Sequence, residues 1–330
     1  MKVLVTGATG YVGTALCHKL RDTDTIIHAL CRSPDKEHLI RGDHVRIFEG
    51  QLQDTGALGR AMEGCDQIYH LAAYVKIWSK DMSIYNAINV EATKNLLDLA
   101  VENDVHRVVM TSTAGVMGPS SDKDSLVTES TNEVVNPATE YERSKILAEK
   151  EAFGYIDRGL ELVVVNPTRI YGPGPDAQSN SITRMIRLFR DGKWRVIPAD
   201  GSSVGNYTYI DDVVNGHILA MEKGRSGERY ILGGANISYN ELFDLLRRLT
   251  GSRQRLVHIP YGILVSFARM QKFAAQYFGI EPLIVPEFVR KLSRHWSMSS
   301  QKAIDELGYE ITQIEDGLTQ TLKWLEGTED

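Results

Sequence analysis

The sequence predicts an α/β protein with a doubly wound parallel sheet and a smaller, mostly helical C-terminal lobe. Two observations carry this prediction. Apolar runs of strand length alternate with amphipathic stretches through the first half of the chain, which is the pattern of β–α–β units. Beyond Pro167 the alternation ends, and the remaining chain is mainly helical in pattern, with Pro260, Pro282 and Pro286 separating its segments.

Five apolar runs are predicted to be buried parallel strands of one sheet. They are KVLVTGA from Lys2, TIIHALC from Thr25, QIYHLAA from Gln67, RVVMTST from Arg107 and LVVVNPT from Leu162. The stretches YVGTALCHKLRD and NVEATKNLLDLAVEN lie between runs and have helical spacing of their apolar residues. We therefore expect right-handed crossovers through helices.

The second half of the chain begins with RIYGPGPDAQSNS, whose glycines, prolines and serines predict a loop that leaves the sheet. A helix between Ile182 and Arg190, a strand in ERYILGG and a helix in YNELFDLLRRLTG follow. We expect a first lobe formed by residues 1–170 with 206–235 returning to it. Residues 171–205 and 236–330 are then expected to form the second lobe.

Composition excludes several classes of protein. The 330 residues include 43 acidic and 37 basic side chains, a formal charge of -6, and no dense run of Lys and Arg, so no nucleic-acid partner is expected. No apolar run approaches the ~20 residues that span a bilayer, so no membrane partner is expected. The chain starts directly on a strand pattern without a leader, which favours a cytoplasmic protein.

Three cysteines, Cys17, Cys31 and Cys65, are an odd number without CxxC spacing. This pattern favours buried thiols over a disulfide framework or a zinc site. We therefore expect no bound metal.

The segment TGATGYVG places Gly7, Gly10 and Gly13 between the first strand and the first helical stretch. In the phosphate-binding turn of Rossmann folds, such glycines permit a tight turn, close approach to a pyrophosphate and close packing of helix on strand. The backbone N–H groups at the helix N-terminus face the phosphates. The context predicts a dinucleotide site, and a Rossmann fold for the sheet.

Arg32 ends the second predicted strand, where NAD-binding sites usually carry an acid for the ribose 2′-hydroxyl. A guanidinium instead suits a 2′-phosphate, and Ser33 and Lys36 stand close by. The sequence therefore favours NADP(H). NAD remains the alternative, because Asp35 can serve a hydroxyl.

Tyr141 and Lys145 are four residues apart in the predicted helix EYERSKILAEKEAF, so they lie on one face of it. An ammonium near a phenol favours the phenolate and makes the tyrosine a better proton donor. The strand RVVMTST ends in hydroxyls at the sheet edge where ligands bind, so Thr113 can hydrogen-bond a substrate carbonyl. Ser112 is the alternative hydroxyl.

Several segments together resemble the extended short-chain dehydrogenases, in order and over nearly the whole chain. They are TGATGYVG, IYHLAA, NVEATKNLL, TSTAGVMG, YERSK, NPTRIYGPG, YTYIDDV and ERYILGG. Within that superfamily the chain is most similar to the dihydroflavonol 4-reductase-like branch, and also to bacterial hopanoid-associated sugar epimerase-like proteins. The resemblance implies a Rossmann domain with a small substrate lobe.

The resemblance also implies roles for individual residues. Tyr141 is the expected proton donor, Lys145 its electrostatic partner and ribose ligand, and Thr113 the carbonyl-orienting hydroxyl. The expected cofactor contacts are Gly7, Thr9, Gly10, Tyr11, Val12, Gly13, Arg32, Lys36, Gln51, Leu52, Leu71, Ala72, Ala73, Thr111, Tyr141, Lys145, Pro167, Thr168 and Ile170.

The chain departs from the family pattern at two positions. Thr113 stands where serine is usual, and Gln51 replaces an aspartate that commonly meets the adenine amine. The Gln51 carboxamide can accept that hydrogen bond, and so can the nearby Asp54.

Three functions are compatible with these residues. The leading hypothesis is an NADP(H)-dependent carbonyl reductase or alcohol dehydrogenase acting on a small molecule. A nucleotide-sugar epimerase or dehydratase would retain NAD and need a diphosphate site, for which the sequence offers a cationic stretch of Arg184, Arg187, Arg190 and Lys193. A non-catalytic dinucleotide sensor would predict a damaged catalytic set.

Four aromatic residues are candidates for substrate contact: Tyr74, Trp78, Tyr171 and Tyr207. They fall in segments expected near the carboxyl edge of the sheet. The resemblance implies that the helix from Asn89 and the helix with Tyr141 pair subunits in many relatives, whereas members of the reductase branch can be monomers. The sequence therefore leaves both a homodimer and a monomer open.

Overall fold

A computed structural model describes residues 1–131 and 136–327. The strands are β1 Lys2–Thr6, β2 Ile26–Cys31, β3 Val45–Glu49, β4 Gln67–His70, β5 Arg107–Thr111, β6 Glu161–Pro167, β7 Arg169–Tyr171, β8 Val196–Pro198, β9 Val204–Tyr209, β10 Arg229–Leu232, β11 Ala235–Ser238 and β12 Val257–Ile259. The helices are α1 Tyr11–Arg21, α2 Thr55–Met62, α3 Ser83–Asn86, α4 Ala92–Glu102, α5 Glu140–Phe153, α6 Ser181–Arg190, α7 Ile210–Lys223, α8 Tyr239–Thr250, α9 Tyr261–Phe278, α10 Pro286–Leu292, α11 Gln301–Leu307 and α12 Ile314–Gly327.

A seven-stranded parallel sheet in the order β10-β6-β5-β4-β1-β2-β3 confirms the predicted fold class. All five predicted strands and the strand in ERYILGG are present. The strand β3 was not predicted, because apolar and charged residues alternate in VRIFE and the strand is only half-buried. Strand order reverses beside β1, and ligands of open α/β sheets bind in the crevice beyond the carboxyl ends of the strands at such a point.

Helices cover both faces of the sheet, and each strand sends alternate side chains into two cores. Val3 and Val5 of β1 pack in the core on the α1 and α7 side. Leu4 packs on the other side, against α2 and α4. This double burial fixes the strand ends that carry the site.

The second half of the chain forms a three-stranded sheet, β11-β9-β7, and a two-stranded sheet, β12-β8, with helices around them. Strand β10 lies in the main sheet, whereas β9 pairs with β7 and β11. The residue limits given above for the two lobes stay a prediction.

Cys17, Cys31 and Cys65 are buried and unpaired, as predicted. Burial raises the pKa of all three thiols, so they are poor nucleophiles. Among the described residues no helix is both long and apolar enough to cross a bilayer.

Candidate active site

The glycine loop links β1 to α1 through a turn that leaves no room for side chains. Gly7 has φ +71°, a left-handed conformation, and a Cβ there would lie 2.8 Å from Ala72 N. A Cβ on Gly13 would lie 2.1 Å from Gly7 O, so the helix packs directly on the loop. The helix begins after Gly10 without a side-chain cap, which leaves its first N–H groups for an anion. This cradle fits a dinucleotide pyrophosphate.

Replacing Gly13 with alanine is expected to lower the free energy of unfolding by about 1–3 kcal/mol and to weaken dinucleotide binding. The new methyl group must displace the backbone of the loop. Urea unfolding and a fluorescence titration with NADPH measure the two effects.

Gly59→Ala is the matched control, because Gly59 lies in α2 and nothing stands within 4 Å of its added Cβ. This variant should gain about 0.5–1 kcal/mol from helix propensity and bind cofactor as wild type does. Equal stability of the two variants would contradict the packing argument.

The neighbouring predicted contacts of this loop differ in exposure. Thr9 and Val12 are half-buried at the mouth of the loop. The Tyr11 side chain is buried, and its hydroxyl donates to Gly172 O at 3.0 Å. Tyr11 therefore offers only its backbone to a ligand at the helix N-terminus.

Arg32 lies just beyond β2, which runs beside β1 with Thr6 opposite Leu30. Its side chain is exposed and, within the described residues, forms no hydrogen bond or ion pair. Lys36 and Asp35 are also exposed, in the short 3₁₀ helix that follows. A guanidinium without a partner among the described residues thus stands at the end of the strand next to the glycine loop.

Gln51 and Leu52 follow β3, and Gln51 is exposed while Leu52 is buried. Asp54 caps helix α2, since its Oδ1 accepts from Ala57 N at 2.9 Å. One oxygen of that carboxylate is thereby occupied, and Gln51 is the freer partner for an adenine amine.

The carboxyl end of β4 is joined to the loop by hydrogen bonds from Leu71 N to Thr6 O and from Ala72 N to Thr6 Oγ1. Leu71, Ala72 and Ala73 are half-buried there. Buried His70 bridges the Thr6 and Thr93 hydroxyls at 2.8 and 2.9 Å. Burial, with a smaller effect of Lys145, lowers the pKa of His70 to about 3, so His70 is neutral at pH 7.

The free energy of unfolding should fall as the pH drops below 6.5. Between pH 6.5 and about 3 the unfolded chain binds a proton that folded His70 does not, so each pH unit removes about 1.4 kcal/mol. Urea unfolding at pH 6.5 and 4.5 should show His70→Gln losing about 2 kcal/mol less than wild type over this interval.

His38→Gln is the control for that measurement, because His38 is exposed. The free energy of unfolding of this variant should fall between pH 6.5 and 4.5 by the same amount as that of wild type. If His70→Gln also matches wild type, neutral His70 does not set the acid sensitivity.

Helix α5 holds Tyr141 and Lys145 and begins with a capping box. The Thr139 hydroxyl accepts from Glu142 N, and the Glu142 carboxylate accepts from Thr139 N. Since the box fixes the first turn, it also fixes Tyr141 within that turn. Among the described residues the Tyr141 hydroxyl has no hydrogen-bond partner, and burial raises its pKa. The phenol is therefore protonated and free to donate.

Lys145 is fully buried, and its Nζ donates to Thr111 O at 2.7 Å. Burial lowers the pKa of this ammonium to about 8, against the opposing effect of Glu149. The bond ties α5 to the carboxyl end of β5. It leaves two N–H donors for ribose hydroxyls or for the phenol.

The hydroxyl of Thr113 accepts from Gly115 N at 3.2 Å, so its own proton is free to donate to a carbonyl. The Ser112 hydroxyl is buried and has no hydrogen-bond partner among the described residues. This difference favours Thr113 over the alternative Ser112. Thr111 is also a predicted cofactor contact, but its hydroxyl already forms a hydrogen bond with buried His217 at 2.8 Å.

Two buried asparagines that sequence reasoning missed support these groups. Asn166 in β6 donates to Thr113 O at 3.2 Å and to the buried Glu149 carboxylate at 2.8 Å. Asn89 donates to Ser144 Oγ, which donates to Tyr141 O, and it also accepts from Tyr74 N. Asn89 sits in one π-helical turn, a feature frequent at functional sites. The sequence signal that could have identified these two asparagines is a polar amide side chain within an otherwise apolar pattern.

The end of β6 supplies the remaining predicted cofactor contacts. Pro167 is buried, and Thr168 and Ile170 are half-buried. The Thr168 hydroxyl donates to Asn206 Oδ1 at 2.7 Å, so it is already paired.

Two of the four predicted aromatic substrate contacts need a correction. Tyr171 and Tyr207 are each only 1% exposed and lie in the core. Tyr171 packs on Gly317 and Tyr209, and Tyr207 accepts a hydrogen bond from Arg169. Their burial comes from C-terminal elements that the local sequence does not reveal. Tyr74 and Trp78 are half-buried after β4 and stay predicted substrate contacts.

The assembled groups can perform hydride chemistry on a carbonyl. A nicotinamide dinucleotide held at the glycine loop would supply or accept the hydride. Thr113 and Tyr141 would donate hydrogen bonds to the carbonyl oxygen, and Tyr141 would deliver the proton that completes an alcohol. Lys145, on the same helix as Tyr141, would support the phenol with its positive charge and bind the ribose. Among the described residues, no group of three or more His, Cys, Asp or Glu side chains could hold a metal ion.

Comparisons with known proteins show which family the chain is similar to. Residues 3–233 match the family described as the NAD dependent epimerase/dehydratase family. A putative dihydroflavonol 4-reductase of Synechocystis is 29% identical over 98% of this chain and 94% of the relative. Sterol demethylase protein B of Methylococcus capsulatus is 30% identical over 98% of both chains.

Among solved structures, gox2253 covers 99% of this chain and 98% of its own, with a TM-score of 0.83 and 31% identity. The family match spans the cradle, Thr113, Tyr141 and Lys145. The chain therefore belongs to the NAD dependent epimerase/dehydratase family of extended short-chain dehydrogenases, and it is an NAD(P)-dependent enzyme.

Proposed function

We propose that the protein is an NADP(H)-dependent carbonyl reductase, or alcohol dehydrogenase in the reverse direction, acting on a small molecule. The observation that carries the proposal is Arg32, an exposed guanidinium without an ion pair among the described residues, beside the glycine loop. It suits the 2′-phosphate of NADPH, the usual reductant for such reactions. Thr113, Tyr141 and Lys145 supply the carbonyl chemistry.

Nucleotide-sugar epimerisation has weaker support in the cationic stretch at α6. Arg187 pairs with Asp176 at 3.0 Å, and Asp191 pairs with Arg190 and Lys193. Arg184 alone of the four is exposed without an ion pair among the described residues. A sugar diphosphate would have to compete with those carboxylates.

The test is a titration of cofactor-stripped protein with NADPH and NADH. Arg32→Asp should weaken NADPH binding about 100-fold, because it removes charge-assisted hydrogen bonds and adds repulsion. Wild type should prefer NADPH, and the variant should not.

Arg60→Asp is the matched control, since Arg60 is an exposed arginine of α2 away from the cradle. It should leave both dissociation constants within about twofold. If wild-type protein binds NADH as tightly as NADPH, Arg32 does not read a 2′-phosphate and the proposal loses its main support.

A further inference from the structure

Helix α9 presents an apolar face to solvent. Only Ala268 and Ala275 of its 18 residues are buried, and it packs on α10. Its outward side chains are Ile263, Phe267, Met270, Phe273 and Tyr277, each between 42% and 66% exposed. Their spacing of three and four residues places them on one face. A surface helix normally turns polar residues outward, so α9 has the reverse pattern.

The apolar surface continues past the end of α9 towards the active site. Phe278, Ile280 and Leu283 are at least 60% exposed. Glu281 accepts a hydrogen bond from Lys76 at 2.8 Å, which joins this segment to the loop after β4. That loop carries exposed Ile77 and half-buried Trp78. Contiguous exposed apolar surface of this extent marks an interaction site.

The wider stretch of chain around this segment, residues 251–300, is cationic although the whole chain is acidic. Residues 251–300 contain seven Lys and Arg and two acidic side chains, Glu281 and Glu287, whereas the chain carries -6. Both acids are paired with lysines, at 2.8 and 2.6 Å. Arg269 on α9, and Arg290 and Arg294 from α10 onwards, are exposed and form no ion pair among the described residues. Arg269 therefore places an exposed positive charge on α9 itself, and the chain that follows carries two more exposed arginines.

We propose that the α9 face docks on the surface of an anionic lipid bilayer. An apolar helix face that enters the headgroup region, with Lys and Arg beside it, is the arrangement of interfacial membrane helices. Anionic lipids attract the arginines, and the aromatic side chains bury apolar area. A second copy of the chain fits less well, because a two-fold contact over α9 would bring two cationic segments together.

Docking of this kind needs no spanning helix. The sequence expectation of no membrane partner rested on the lack of a long apolar run, which excludes a transmembrane segment only. The proposal is independent of the reaction and of the cofactor preference.

The test is sedimentation of the full chain with vesicles of phosphatidylglycerol and phosphatidylcholine, and with phosphatidylcholine alone. Wild type should sediment with the anionic vesicles. At 1 M salt the fraction of protein bound to them should fall at least about tenfold. Met270→Ser/Phe273→Ser and, separately, Arg269→Glu/Arg294→Glu should each raise the lipid concentration for half-binding at least about tenfold.

Two controls separate docking from general surface effects. Leu147→Ser/Ile304→Ser removes exposed apolar side chains from other elements, and Arg60→Glu reverses a charge on α2. Both should bind vesicles as wild type does. Circular dichroism verifies that every variant is folded.

Wild type that stays in the supernatant with anionic vesicles would overturn the proposal. A second result would also overturn it. Light scattering would show that the wild type is a dimer and that Met270→Ser/Phe273→Ser is a monomer, while the two proteins sediment equally with vesicles. That second result would assign the face to another copy of this chain.

Discussion

Tyr141→Phe is expected to lower kcat for carbonyl reduction by about 10³-fold, the range lost with a positioned proton donor. The phenol is the one group of the site that is protonated, unpaired among the described residues and held by the capped first turn of α5. Because the hydroxyl forms no hydrogen bond with any described residue, the variant should keep its stability and its affinity for NADPH. Steady-state kinetics and a cofactor titration measure the two quantities.

Tyr155→Phe is the matched control for that experiment. Tyr155 follows α5 and donates to Lys94 O at 3.2 Å, away from the catalytic turn. Its kcat should remain within about twofold of wild type. A Tyr141→Phe enzyme that retains a tenth of wild-type kcat would remove Tyr141 from the role of proton donor.

The second large effect concerns pH and Lys145. The pKa of this ammonium is about 8, below its ordinary value, so it is charged at pH 7 and loses its charge as the pH rises through 8. We expect the charged form to be the one that supports the phenol and binds the ribose. We expect kcat/KM for NADPH to be level between pH 6 and 7 and to fall about tenfold per pH unit above 8.

Lys145→Arg tests the assignment, because a guanidinium stays charged throughout this range. The variant should have a lower kcat, but the fall of its kcat/KM for NADPH should begin at a higher pH than in wild type. Lys150→Arg, an exposed position on the same helix, should leave the profile unchanged. If the kcat/KM of Lys145→Arg falls at the same pH as that of wild type, a group other than Lys145 titrates near pH 8.

Local sequence was sufficient for the parts of the site that lie within one element. The glycine loop, the helix with Tyr141 and Lys145, and the hydroxyl at Thr113 each depend on a spacing of a few residues. Strand-length apolar runs predicted the sheet because both of its faces are buried, which leaves a near-continuous apolar signal. The half-exposed β3 lacks that signal and was missed.

Contacts between distant segments could not be predicted in this way. Asn89 meets Ser144 across 55 residues, and Asn166 meets Thr113 across 53. The burial of Tyr171 depends on Gly317 of α12. Helix α9 has an apolar pattern that suits a buried helix, and only its position in the fold shows that this face is exposed.

The most direct test of the central claim is a multiple-turnover assay with NADPH and a panel of aldehydes and ketones. We expect one NADP⁺ released for each alcohol formed, with NADPH favoured over NADH and with the activity lost in Tyr141→Phe. Conversion of a nucleotide sugar without net consumption of cofactor, together with no turnover of any carbonyl compound, would contradict the account.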